Sequence, residues 1–184
     1  MKHNVVLEGY GCRMRPVALE DAEFIVNLRK MPHVKNNVSD TLNTLEKQQN
    51  GLVEYFDKKD IYYWILSESE TGRLVGTCGL YDINEGSAVP GLWVVFPDAA
   101  FSIVAPTLLM YQFAFDRLGL DKLVLNVVAS NKKVLKFQRL FGARETHIEK
   151  NGQIINGQPV DFVWFEITRQ MWPALFEKWN GIIG

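Results

Sequence analysis

Hydrophobic and polar positions change period most sharply across residues 121–143, DKLVLNVVASNKKVLKFQRLFGA. Leu123, Leu125 and Val127 alternate with Val124, Asn126 and Val128, which predicts a largely buried strand. After Ala129-Ser130-Asn131 the apolar spacing becomes helical through Val134, Phe137 and Phe141, with Gly142 where a left-handed C-terminal residue belongs. Upstream, the pattern predicts a strand over 12–17 and a helix over 22–30 that stops at Pro32. A second helix follows over 42–56, with Leu42, Leu45, Gln49, Leu52, Val53 and Phe56 on one face and Ser39 or Asp40 as its cap. Strands are expected over 61–66, 73–81 and 88–96, the last two joined by a turn over 82–87. A loop opened by Pro97-Asp98 leads to an apolar helix ending near 118–119, with Pro106 as a suitable first helical residue. The chain closes with a strand over 144–149, turns at Asn151-Gly152 and Asn156-Gly157, a strand over 160–167 and a helix over 170–179. The order βααβββαβαββ with a helical tail predicts a single α/β domain over 1–184.

Composition narrows the function classes. With a formal net charge of −1, bulk charge attracts neither nucleic acid nor an anionic membrane, so neither partner is expected. No apolar run is long enough to span a bilayer, and Met1-Lys2-His3-Asn4 lacks a signal-peptide pattern. A cytoplasmic protein, monomer or homodimer, is the expectation. Cys12 and Cys78 sit in strand-like surroundings as buried free thiols, and the scattered His3, His33 and His147 offer no zinc spacing, so no metal is expected.

Two stretches carry a family resemblance. The strand, the Ser-Asn break and the short helix ending in Gly resemble the second half of the acyl-CoA site of the GNAT N-acetyltransferase superfamily, with Asn131, Val134, Phe137, Gly142 and Ala143 in register. The hairpin GRLVGTCGLYDINEGSAVPGLWVVF is similar to a second family pattern at Gly72, Gly76, Gly91 and Trp93. The resemblance covers the chain to about residue 167. It implies a mixed central sheet whose two central parallel strands splay into a V, with helices on both sides. It also implies acetyl-CoA or another short acyl-CoA as co-substrate, bound along Trp93, Val94 and Val95 and by Ser130, Asn131 and Phe137. A backbone N–H near Val94 would then polarise the thioester carbonyl. Asn131 has two open roles, pantetheine contact and cap of its own helix.

The sequence departs from the family in two places. The pyrophosphate loop, glycine-rich and basic in relatives, here reads 97–106, PDAAFSIVAP, without either. A remodelled CoA loop, a donor held by its pantetheine arm as on a carrier protein, and a lost activity all remain open. Ser102 and the N–H groups of Thr107 and Leu108 are the anion-facing candidates. Gln138 stands where many relatives place a proton-donating Tyr; a glutamine can hydrogen-bond sulfur but not supply a proton.

Asp82 and Glu85 are the general-base candidates, with turn formation as their other role. His33 and Tyr81 stand behind them. For the acceptor, Leu28-Arg29-Lys30-Met31-Pro32-His33-Val34 is similar to the branch that N-acetylates nucleotide-linked amino sugars, which makes Arg29, His33, Asn36 and Tyr81 the acceptor-side candidates. Arg29 can equally be a helix C-terminal cation. The implied function is acyl transfer to the primary amine of such a sugar. The alternatives are a protein N-terminal or polyamine acetyltransferase, and a non-catalytic GNAT-like binding module.

Overall fold

The computed structural model describes residues 3–31, 34, 44–155 and 157–184, with Ile155 described in its backbone only. Its frame is an eight-stranded mixed sheet in the order β1-β2-β3-β4-β5-β6-β8-β7. The strands are β1 Leu7–Gly9, β2 Cys12–Pro16, β3 Tyr62–Glu68, β4 Leu74–Asn84, β5 Ser87–Val95, β6 Lys122–Val128, β7 Arg144–Ile155 and β8 Gln158–Thr168. Only β5 and β6 run parallel; every other neighbouring pair is antiparallel.

Alternation along the strands sends side chains to two cores. Trp64 and Leu66 of β3 and Leu123, Leu125 and Val127 of β6 enter the larger one. There they meet α3 (Val104–Gln112), α4 (Lys132–Phe141) and α5 (Trp172–Ile183). Ile65 points the other way, into a smaller core built with α1 (Ala22–Arg29) and α2 (Leu45–Asp57). Cys12 and Cys78 are buried and unpaired, and burial pushes the Cys12 thiol up to about 12. Among the described residues no helix is long and apolar enough to cross a membrane, and no cluster of His, Cys, Asp and Glu can hold a metal ion.

Several boundaries differ from the sequence pattern for local reasons. β1 was not expected; its three residues are too short to show a period, and the Tyr10-Gly11 turn that returns it has φ of 54° and 74°. The cap of α2 is Thr44, whose hydroxyl accepts from the Lys47 N–H at 3.3 Å, whereas Pro32, Ser39, Asp40 and Leu42 lie outside the described residues. Pro106 is the third residue of α3, because the Ser102 hydroxyl accepts from Val104 N–H at 3.3 Å and starts the helix earlier. That helix continues through a π segment, Phe113–Arg117.

Asn151-Gly152 is no turn: β7 runs through it with a bulge, Asn151 at φ 52°. Asp161 on β8 holds the irregularity by accepting from Asn151 N–H at 3.0 Å and pairing Lys150 at 2.7 Å. Gly142 ends α4 at φ 111°, the left-handed stop that its position predicts.

Candidate active site

β5 and β6 pair only at Ser87 with Lys122 and at Ala88 with Leu123. The contact is clamped where the Gly86 carbonyl accepts from both Asp121 and Lys122 N–H, at 2.7 and 3.0 Å. Among the described residues, β5 beyond that vertex bonds only to β4, and β6 only to β8. Two unpaired strand edges therefore face each other across an opening in the middle of the sheet. Backbone groups in such a place need partners, and an extended ligand with amides of its own can supply them.

The β5 edge is irregular at its functional end. Pairing jumps from Gly79 with Gly91 to Thr77 with Val94, so Leu92 and Trp93 together oppose Cys78. Leu92 has a φ of 57°, a strained state for a branched side chain that costs about 1–3 kcal/mol. Phe96 N–H donates to Val75 C=O at 2.7 Å, which fixes the alternation along this antiparallel pair. Val94 accordingly turns its N–H toward β4 and Val95 turns its own into the opening. Trp93 stands in the bulge, and because the Leu92 carbonyl of its peptide unit is held on the β4 side by Thr77 Oγ1 at 2.8 Å, its N–H points away from β4. The Val94 amide expected from sequence to face a ligand is directed to β4 instead.

Of the acceptor-side candidates, Tyr81 and Arg29 are among the described residues. The Tyr81 ring rests on Gly91, where a Cβ would stand 2.6 Å from Tyr81 Cε1, so only glycine leaves room for the ring beside the bulge. Burial, and then the Asp82 carboxylate, raise the Tyr81 phenol above its ordinary pKa. Arg29 is near enough to Tyr63 for its charge to act on that phenol, which burial nonetheless pushes up to about 12. His33 and Asn36 lie outside the described residues. Asp82 and Glu85 are exposed on the hairpin end that meets the start of β6. This is the closed end of the V. Six residues of strand, about 20 Å, separate Ser87 there from Trp93. The structure therefore groups Tyr81 with the bulge and sets Glu85 apart from it.

At the exit of β6, Asn131 caps α4: its Oδ1 accepts from Val134 N–H at 3.2 Å, and its amide nitrogen has no acceptor among the described residues. Ser130 is exposed beside it, and Phe137 packs against Phe141 with ring centroids 5.8 Å apart. Gln138 is buried in the row below, and its Oε1 has no hydrogen-bond partner among the described residues. An orphaned buried carbonyl costs about 1–3 kcal/mol. Gln138→Leu is therefore expected to raise Tm by a few degrees while lowering turnover about tenfold. A thermal melt and an initial-rate assay on one preparation check both signs; a loss of stability would mean that the carbonyl is already satisfied.

The loop before α3 is occupied by its own contacts. Glu68, buried at the end of β3, accepts from Arg73 Nη2 at 2.6 Å, Thr71 Oγ1 at 2.6 Å and Ala100 N–H at 3.1 Å. The Arg73 and Thr71 bonds hold its carboxyl down at about 2. Arg73 also grips Asp98 at its carboxylate, 3.1 Å, and at its carbonyl, 2.8 Å. Val104 and Ala105 N–H groups are taken by the Ser102 hydroxyl and carbonyl. With α3 starting at Val104, Thr107 and Leu108 sit in the body of the helix, where N–H groups bond back along the axis. The strand edges thus fit a pantetheine arm, whereas the Ala99, Ala100, Val104 and Ala105 amides of this loop are taken by the protein itself.

Sequence reasoning missed Thr77, a buried residue on β4 whose hydroxyl donates to the Leu92 carbonyl at 2.8 Å. Threonine is common in strands, so only the bulge opposite gives it meaning.

A family model described as an acetyltransferase (GNAT) domain matches residues 12–144. No curated protein matches the chain. Among solved structures, a GCN5-related N-acetyltransferase from Brucella melitensis superposes with a TM-score of 0.85 at 18% identity, over 99% of this chain and 86% of that one. Apo FdhC, described as a nucleotide-linked sugar GNAT, gives 0.82 at 22% identity, over 99% and 100%. The spermidine/spermine N-acetyltransferase SpeG from Vibrio cholerae gives 0.73 at 19%, over 90% and 98%. At these identities the likeness is one of fold.

Proposed function

Because this chain belongs to the GNAT acetyltransferase family, we propose that it moves an acetyl or other short acyl group from acyl-CoA to the primary amine of a nucleotide-linked amino sugar. The observation that carries the acyl-transfer reading is the unpaired opening between β5 and β6, with the Trp93 N–H turned into it from a strained bulge. Trp93 and Val95 hold the pantetheine arm as an added strand, and the Asn131 amide meets it at the β6 exit. The Trp93 N–H stands where the thioester oxygen gathers negative charge.

In the transfer, the amine nitrogen bonds to the acyl carbon and the C–S bond breaks with its electron pair on sulfur. The proton shed by the amine passes to solvent or to a base, leaving an amide and a thiolate that takes up a proton from solvent to become the free thiol. A thiol of this kind ionises near 8.5, so departure needs no strong acid, and a buried Gln138 suffices where relatives carry Tyr.

The acceptor class rests on Arg29. A guanidinium on the α1/α2 face suits a phosphate by its planar fork and opposes a polyamine. The FdhC fold supports the same choice, and the SpeG fold keeps a polyamine as the second reading.

Thiol release from acetyl-CoA tests this with a UDP-linked amino sugar, spermidine and a peptide with a free α-amine as acceptors. Release with the sugar is expected, and Arg29→Ala should raise the acceptor KM about 10–100-fold while leaving the donor KM nearly unchanged. Release with spermidine alone would transfer the assignment to polyamines. No release with any amine would leave a binding module.

A further inference from the structure

We propose that Thr77 is a positioning residue for the reacting amide: its hydroxyl, bonded to the Leu92 carbonyl, aims and polarises the Trp93 N–H. The inference rests on the acyl-transfer reading above. Leu92 C=O and Trp93 N–H belong to one peptide unit, and no cis peptide bond occurs among the described residues. In a trans peptide the two groups point in opposite directions. Thr77 Oγ1 takes the carbonyl on the β4 side at 2.8 Å, so the N–H is driven out the other side, into the opening.

Three features tie this bond to the site. A positive-φ Leu92 at 57° persists only where its surroundings over-determine it, and the carbonyl anchor is one such restraint. Gly79 supplies another: a Cβ there would stand 2.6 Å from Tyr62 C=O and 2.9 Å from Leu92 Cδ1, so nothing larger leaves room for the bulge. Thr77 is also only 2% exposed, in a strand where Val or Ile would pack as well, so its hydroxyl needs a partner. That partner is the Leu92 carbonyl. Accepting at the carbonyl makes the N–H of the same peptide unit a stronger donor.

The test compares Thr77→Val, which keeps shape and removes the hydroxyl, with Thr77→Ser, which keeps the hydroxyl. Thr77→Val is expected to lower kcat about tenfold, the loss of one hydrogen bond, with the donor KM within about twofold. Thr77→Ser is expected to restore most of the rate. A second readout is the infrared carbonyl stretch of bound S-acetonyl-CoA, a ketone analogue. It should lie below its solution frequency in the wild type and Thr77→Ser, and move part of the way back in Thr77→Val. Should Thr77→Val not fold, Thr77→Ala takes its place with the same expected loss. A hydroxyl-free variant that folds and keeps both the wild-type kcat and the wild-type stretch overturns the proposal. A wild type that binds no acyl-CoA overturns the acyl-transfer reading first and this one with it.

Discussion

Replacing Trp93 with proline is expected to lower kcat about 10²–10³-fold, the usual cost of removing one oxyanion donor. Proline lacks the N–H and normally cannot sit inside a sheet, because a ladder bond is lost. In the proposed geometry the Trp93 N–H faces the opening, since Thr77 holds the Leu92 carbonyl on the β4 side, and Trp93 has no paired residue on β4, so the substitution removes the proposed donor without removing a register pair. Trp93→Ala is the control. It keeps the N–H but deletes a half-buried ring that packs on the main core with Val95 and Phe96, so it should lose stability while retaining most of its turnover. Circular dichroism and a thermal melt establish that each variant folds, and steady-state rates at saturating acyl-CoA read the donor's contribution. A folded Trp93→Pro variant within tenfold of the wild type would remove this amide from the mechanism.

Much of the frame is legible in the sequence because burial enforces period. Leu123, Leu125 and Val127 must alternate to reach the core beneath α3, and Gly142 must follow α4 because φ 111° excludes most other residues. What escapes is whatever depends on register between strands. Leu92 carries no sequence mark of its positive φ, since the residue types that usually announce one are Gly, Asn and Asp. The bulge therefore leaves the Val94 N–H directed to β4, a change that local periodicity cannot register. Asn151-Gly152 shows the converse. Its composition signals a turn, but Asp161, ten residues later, absorbs it into a continuous strand.

The loop before α3 was conspicuous in sequence for its missing glycines and basic residues. Its physical meaning comes from Glu68 and Arg73, residues far enough upstream that no motif joins them to it. The pair occupies the Ala100 amide and neutralises Asp98, so the acidic residue serves the loop's own structure. Glu85, chosen for its chemistry at a hairpin tip, lies at the closed end of the V because β5 and β6 meet only at their beginnings. Composition can nominate a carboxylate, but only the direction in which two strands splay decides which end of the hairpin sees the reaction.

That geometry shapes the expected response of the rate to pH. The attacking amine must be unprotonated, so kcat should climb about tenfold per pH unit below the controlling pKa, roughly a hundredfold over two units. A phenolic acid would add a descending limb, because it must stay protonated to donate. Tyr111 is excluded from that role by its position: it is 1% exposed, packed edge-on against Phe141 and Trp172. Tyr81 is the phenol beside the bulge, and both burial and the Asp82 carboxylate disfavour its anion. Its pKa therefore moves up from about 10, the ordinary tyrosine value, and any limb it caused would begin above that pH. The profile should rise to a plateau and stay level to at least about pH 9.5. Tyr81→Phe should change the height of that plateau without changing its shape. A fall beginning below pH 9 that disappears in Tyr81→Phe would show a tyrosine acid with a lowered pKa, the reverse of what its burial and its acidic neighbour require.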